Sequence, residues 1–484
     1  TFFQIKFNHR MMNRKLLFLI KAMLVSINVT LFIIAGCAEK GAVKKERENK
    51  SFYVDGESGD DRNSGLTADK PIKTLKKAES LILKGGDSLL FRRGTFYEGT
   101  LRVNSSGSSD NYIVISSYGD KSLPAQAFTN STFDVKTGNF GNCIRIKGSY
   151  IIVEELYFHN TVAQLPSDSG GFEIMWELGA VFIEKESDYS VVRNNEFFDC
   201  GVGIKSYGNY ILIDNNYIHD CNRVLKEWNW GPIGIWLGSD NQEVCNNRIF
   251  NYSAVDPRII WGPDSYGGGA DGGAIEIDDA RIPKTNISIH NNYSKDCQGF
   301  IEVTWKDVLQ NPDYRNFSIH HNISDDFQQF IALWRGAGCK IENNTIIRRK
   351  RNVNDWGVFN ITQTDSKNYI RNNIVVVEND IIIFNLGKRG TAKPSTIISN
   401  NLYFAASGNL LIGLEGPGEN YIIGNPLFVN YSNIKSPLDL RITDNSPARN
   451  KGQNLGYTFD FIKTTIPNEG VPDIGAFEYS SLNK

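Results

Sequence analysis

The chain has 484 residues with 52 basic and 54 acidic side chains, a formal net charge of −2 and a hydrophobic fraction of 40%. That balance excludes a disordered chain and a strongly charged nucleic-acid binder. Charged residues reach only 22% while glycine contributes 44 residues and aromatics 12%; with asparagine also dense, many short strands joined by tight turns are favoured, and an all-β protein is expected. Cysteines at 37, 143, 200, 221, 245, 297 and 339 form no C-x-x-C pair and are too scattered for a disulfide scaffold. Apart from Cys37 they read as buried small apolar residues.

From Met11 and Met12 the chain runs through Asn13-Arg14-Lys15 into an apolar stretch from Leu16 to Ile34 and ends it with Ile34-Ala35-Gly36-Cys37. These are the basic, apolar and small-residue regions of a secretory signal. Lys21 and Asn28 interrupt the apolar run, which argues against a simple membrane anchor. The last four residues resemble a bacterial lipoprotein signal. The resemblance implies that residues 1–36 are an extension plus signal peptide and that Cys37 carries a lipid holding the protein at the bacterial cell envelope, in the outer membrane or at the cell surface. Residues 37–50 then read as a flexible tether, and 51–484 as a single domain.

That domain opens with Phe52-Tyr53-Val54-Asp55-Gly56, Gly59-Asp60-Asp61 and Gly85-Gly86-Asp87-Ser88. Between them Pro71 to Leu83 reads as an amphipathic helix with proline near its first turn, suited to capping the end of a core. An Asn-Asn pair preceded by alternating apolar residues then recurs at 194–195, 215–216, 246–247, 291–292, 343–344, 372–373 and 400–401, with His321-Asn322 filling the remaining slot. The intervals between second members are 21, 31, 45, 30, 22, 29 and 28 residues, so a coil of just over twenty residues carries insertions of variable length. Each coil has period-two runs, such as Tyr210-Ile211-Leu212-Ile213, that read as short strands. Asparagine at one fixed position suits a turn, where it tolerates the left-handed conformation and bonds to the asparagine stacked above. The chain closes with Asn425-Pro426-Leu427-Phe428, Ser446-Pro447-Ala448 and Pro472-Asp473-Ile474-Gly475-Ala476-Phe477-Glu478-Tyr479.

This organisation resembles a right-handed parallel β-helix, the fold of pectate lyases, polygalacturonases and other polysaccharide-degrading enzymes. The resemblance implies an N-terminal cap over residues 51–100, coils over about 101–430 and a C-terminal cap over 431–484. Asp278-Asp279 is similar to the paired aspartates of polygalacturonases. The Gly-His-Gly and Arg-Ile-Lys motifs expected after that pair are absent, so that mechanism is not carried over.

Stacking the coils in register aligns one outward column as Glu184, Lys205, Trp236, Glu276, Glu302, Ala332 and Asn360, and a second containing Gly238, Asp278, Thr304, Trp334 and Thr362. Glu276, Asp278 and Glu302 then share one patch. Like charges facing each other across a ladder destabilise a sheet, so a chain that keeps them has a use for them. The longest insertions, Arg223 to Pro232 and Ser253 to Gly272, precede the strands of Trp236 and Glu276 and should rise as walls beside the patch. Trp236, Trp261, Trp305 and Trp334 can stack on sugar rings in an open groove, or pack loops onto the barrel. With Glu184, Lys205, Asp279 and Arg335 they form the expected substrate-binding set. His290 and His320 read as a stacked surface pair. H-E-x-x-H, G-x-S-x-G and phosphate-loop motifs are absent, which argues against a metalloprotease, a serine hydrolase and a nucleotide enzyme.

Two chemistries suit the patch. In glycoside hydrolysis one carboxyl donates a proton and another acts as nucleophile or base; repulsion among Glu276, Asp278 and Glu302 favours keeping a proton on one of them, and no cofactor is expected. In a polysaccharide lyase the same three acids would hold calcium, with Lys205, Lys306 or Arg335 as base or charge clamp. No basic cluster is expected at the patch centre, where the lyase families of this fold place Lys or Arg, so the hydrolase is preferred. A third reading, a noncatalytic glycan-binding surface protein, would keep the tryptophans without needing stacked acids. In each case the partner is a polysaccharide or oligosaccharide, not nucleic acid, and a monomer is expected.

Overall fold

A computed structural model of the protein describes residues 47–162, 176–221, 232–253, 273–279, 284–303, 314–349, 357–363, 367–386, 396–413 and 415–481. Cys37, Trp261, Trp305 and Lys306 lie outside them, as do Thr304 and the side chains of Trp334 and Arg335. Among the described residues no helix is long and apolar enough to cross a membrane.

The asparagine pairs form the corner between two sheets and divide the labour expected of one position. First members Asn194, Asn215, Asn246, Asn291, Asn343, Asn372 and Asn400 take φ between 52° and 57°, the left-handed turn that Asn tolerates. Second members are buried and stack. The Oδ1 of Asn216 accepts from both the backbone N–H and the Nδ2 of Asn195, and the pattern repeats through Asn247, Asn292, Asn322, Asn344, Asn373 and Asn401 at 2.8–3.1 Å. Each Nδ2 also donates to a backbone carbonyl of the preceding coil, at 2.8–3.0 Å. A buried amide with every group bonded carries no desolvation penalty, so a polar ladder can run through the core.

Three long sheets follow from this repeat, each with 12 strands among the described residues and each pairing a strand with the matching strand of the next coil. Within these sheets the pairing is parallel, as where Val191–Arg193 meets Leu212–Asp214; outside them, among the described residues, the small pair Phe133–Asp134 and Asn139–Phe140 and isolated bridges such as Phe428 with Ile442 are antiparallel. The fold is therefore a parallel β-helix. Inward positions stack like on like: Val153, Val192, Ile213, Val244, Ile289, Ile319, Ile341, Ile370 and Ile398 form one apolar column in the first sheet. The cysteines at 143, 200, 221, 245, 297 and 339 are free and buried.

The N-terminal helix is shorter than the pattern Pro71 to Leu83 predicts. It spans Leu75–Glu79, with the Thr74 hydroxyl accepting from the Lys77 N–H as its cap. At the other end Gly475 takes φ 107°, a conformation that side chains with a Cβ rarely adopt, where its N–H donates to the Asn372 carbonyl. Its segment runs back along the late asparagine corner: Asn291 Nδ2 donates to the Asp460 and Phe461 carbonyls, and Asn372 exchanges two bonds with the Gln453 backbone.

Candidate functional site

The third sheet carries the candidate site on its outward face. Its central strands are Val202–Ser206, Ile233–Leu237, Gly273–Ile277 and Ile301–Val303. Ile204, Ile235, Ile275 and Ile301 point into the core, so alternation turns Lys205, Trp236, Glu276 and Glu302 outward on successive rungs about 4.8 Å apart. The column continues to Ala332 and Asn360, in the expected register. One position is corrected: Phe182, not Glu184, stands opposite Lys205. Glu184 lies two residues further on, where its carboxylate accepts from Arg145 Nε at 2.5 Å.

This face is not the open groove that the pattern suggests. Lys205 and Trp236 are both 0% exposed and Glu276 is 4% exposed. Trp236 belongs to an outer apolar cluster that includes Phe133 and Leu178, with the partly buried Phe140 and Trp176 packed against it, and its buried ring offers no free sugar platform. The Lys205 ammonium lies over the Trp236 indole, a cation–π contact inside the protein.

Nor is the patch purely acidic. Burial pushes Lys205 well below the usual lysine range, an effect opposed by Asp278 first, then by Glu276, Glu177 and Asp279. The lysine that the column contains, Lys205, stands two rungs from Glu276, with Trp236 between them. Glu302, half-buried, faces Glu276 on the next rung and accepts from Gln329 Nε2 at 3.4 Å. Asp278 is half-buried just beyond the strand end, and its Oδ1 accepts the Asp279 N–H at 2.5 Å. Asp279 is buried at φ 65°, and its carbonyl accepts from the Nζ of the fully buried Lys284 at 2.6 Å.

Sequence reasoning missed Lys284, Gln329 and Arg145. Arg145, opposite Phe182, binds Glu177 at 2.7 Å as well as Glu184, and stacks over the Phe182 ring at 4.4 Å. Cations at Arg145 and Lys205 thus precede carboxylates at Glu276 and Glu302 along one column. The signal available was the run of rungs above Lys205, which reads basic once Phe182 is placed correctly.

Elsewhere a groove of about 500 Å³ crosses the early asparagine corner, lined by Arg93, Glu155, Tyr157, Tyr217 and Arg248 among others. It holds none of the clustered carboxylates. His290 and His320 stack as expected, with ring centroids 4.9 Å apart and planes at 2°.

No family model matches the chain. A curated relative, lacto-N-biosidase of Bifidobacterium longum subsp. longum, is 25% identical over 300 residues, covering 51% of this chain and 18% of that protein. The chain thus spans less than a fifth of the relative's length. Among solved structures, pectate lyase Pel9A aligns with a TM-score of 0.50 at 14% identity, covering 90% of this chain and 97% of that one. XylC in complex with xylose aligns with a TM-score of 0.51 at 13% identity, covering 89% and 98%. Both likenesses are of fold.

Proposed function

We propose that the protein is an extracytoplasmic polysaccharide-degrading enzyme, a glycoside hydrolase whose working groups are Glu276, Asp278 and Glu302. The observation that carries the reading is the pairing of Glu276 with Glu302 on adjacent rungs, beside Asp278 and the buried Lys205. One carboxyl gives its proton to the leaving glycosidic oxygen, and the carboxylate facing it attacks the anomeric carbon or activates water. The names of the curated relative and of the two structural neighbours agree with glycan chemistry. On this reading the enzyme works at the bacterial cell envelope, held by a lipid on Cys37.

A second reading is favoured by Lys205 itself. Burial lowers its hold on a proton, and a neutral amine could abstract the C5 proton of a uronate in a lyase reaction. Glu276, Asp278 and Glu302 form an oxygen-only donor set that suits calcium, an ion that when bound would neutralise the uronate carboxylate.

The test is incubation with plant and algal polysaccharides and with lacto-N-biose-terminated oligosaccharides, following reducing ends and the ultraviolet absorbance of unsaturated sugars, with and without chelator. Reducing ends alone, lost in Glu276→Gln, support the hydrolase. Absorbance that rises with reducing ends and disappears in Lys205→Met or with chelator replaces it by the lyase. Glycan binding without cleavage, unchanged in Glu276→Gln, overturns both in favour of a binding protein.

A further inference from the structure

On the outer face of the first sheet, remote in the fold's logic from the carboxylate column, three side chains of different chemistry converge. The strand Glu243–Cys245 pairs with Ser288–His290 so that Cys245 stands opposite His290 and Glu243 opposite Ser288. Val244 and Ile289 point into the core, so alternation turns Glu243, Cys245 and His290 to the same outer side. One ligand atom from each lies within 4.8 Å of the others, and Glu243 Oε1 is 3.0 Å from His290 Nε2.

The ring of His290 is committed on its other side. Asn291 directs its Nδ2 at the Asp460 and Phe461 carbonyls, both at 3.3 Å, which fixes its amide so that Oδ1 faces His290 Nδ1 at 2.9 Å. Nδ1 must therefore donate. A neutral imidazole then presents a lone pair at Nε2, directed at a carboxylate oxygen that also bears lone pairs. Only a proton or a metal cation between the two makes that contact favourable, and the thiol of Cys245 stands beside it.

We propose that Glu243, Cys245 and His290 bind a divalent transition-metal ion of the zinc class, clipping together adjacent coils. A carboxylate oxygen, a thiolate and an imidazole nitrogen suit a borderline ion better than calcium or magnesium. Tetrahedral bonds of about 2.0–2.3 Å put donors about 3.3–3.8 Å apart, so the three need to move by no more than about 1 Å. The Asn291 bond is the outer contact that holds a ligating histidine in its tautomer. Asp214, opposite Cys245, accepts the thiol S–H at Oδ1 (3.4 Å from Sγ) and the Nδ2 of Asn246 at 2.7 Å, so it lies just outside the three ligands. On binding, the S–H bond breaks, the metal–sulfur bond forms and one proton leaves to solvent. Without a cation, burial and the Asp214 and Glu243 carboxylates keep the thiol protonated; a bound dication reverses that balance. Asn291 also ties the site to the C-terminal segment, so the ion would fasten that segment's anchor as well. The proposal is independent of the glycan reading.

The experiment adds Co²⁺ to chelator-stripped protein and follows the thiolate-to-cobalt charge-transfer band, then displaces the ion with Zn²⁺ and records the melting temperature. One equivalent of Co²⁺ giving the band, its loss in Cys245→Ser, and a melting temperature raised by Zn²⁺ are the expected results. Glu243→Gln, at a side chain half in solvent, should weaken Co²⁺ binding by about tenfold or more while leaving the fold intact. Absence of a band at stoichiometric Co²⁺, a band that survives Cys245→Ser, or unchanged affinity in Glu243→Gln overturns the proposal. The Glu243 variant keeps the test decisive if the serine variant fails to fold.

Discussion

Along the corner between the first and second sheets, asparagines from Asn195 to Asn401 stack with the same bonds at coil after coil, whereas on the third sheet the same stacking brings together a lysine, a tryptophan and two glutamates. Both columns are polar, and both are withdrawn from water at their centres. In the corner each amide meets its own kind and every group is bonded, so repetition itself stabilises the fold. On the third sheet the residue type changes along the column, from lysine through tryptophan to two glutamates that face each other as like charges. The repeated polar residue of this β-helix thus marks architecture, and the column whose residue types change is where the proposed chemistry is to be tested.

The sharpest way to break that contrast is to neutralise one member of the unrepeated column. Glu276→Gln should lower kcat by about 10⁴, worth about 5 kcal/mol of transition-state stabilisation, with the parallel sheets retained by circular dichroism. Near-normal turnover would mean that the column is structural after all. The converse substitution belongs in the ladder. Asn344→Ala removes the acceptor of the Asn322 N–H and Nδ2 and the donor to the Ile319 carbonyl and Asn373. Several orphaned groups at about 1–3 kcal/mol each should cost about 4 kcal/mol in urea denaturation, with turnover per folded molecule unchanged.

The C-terminal segment is an intermediate case, an unrepeated cluster serving architecture. Glu478 accepts the Asn468 and Asp473 N–H groups, and burial pushes its carboxyl from the ordinary 4.5 up to about 7. The folded protein therefore binds more protons than the unfolded chain between those two values. Stability is greatest below that window and falls as pH rises through it, by about 3 kcal/mol. Glu478→Gln should flatten the dependence of melting temperature on pH between 5 and 8, and an unaltered slope would assign it to other groups.

Much of this contrast was legible in the residues themselves. The asparagine pairs gave away the coils because a turn that needs a left-handed residue recurs, and apolar alternation fixed which side chains face the core. It also fixed the rungs from Lys205 to Asn360. The misplacement of Glu184 was invisible to that method, since a slip of two residues leaves every side chain on its own face. Burial of Lys205 and Trp236 was invisible for another reason: Phe133, Phe140 and Trp176, which share an outer apolar cluster with Trp236, come from other coils and carry no repeat. Lys284 sits in a strand of two residues, too short to show a period.

The mildest prediction concerns a ladder that changes residue type midway. Before the first sheet, Tyr150, Tyr189 and Tyr210 take φ of 58°, 56° and 57° and stack at 4.9 and 4.8 Å. The corresponding corners of later coils are Asn241, Asn286 and Asn316, at φ 54°, 57° and 58°, joined by amide bonds of 3.0 and 3.3 Å. Tyrosine reaches this corner by stacking and asparagine by backbone tolerance, so the two substitutions should separate those contributions. Tyr189→Ala loses the rings' contact and should cost about 1 kcal/mol. Tyr189→Asn loses the same contact but relieves the left-handed backbone, and should cost roughly half as much. Equal costs in urea denaturation would mean that stacking alone holds the corner, and that the change from Tyr to Asn along the column has no backbone cause.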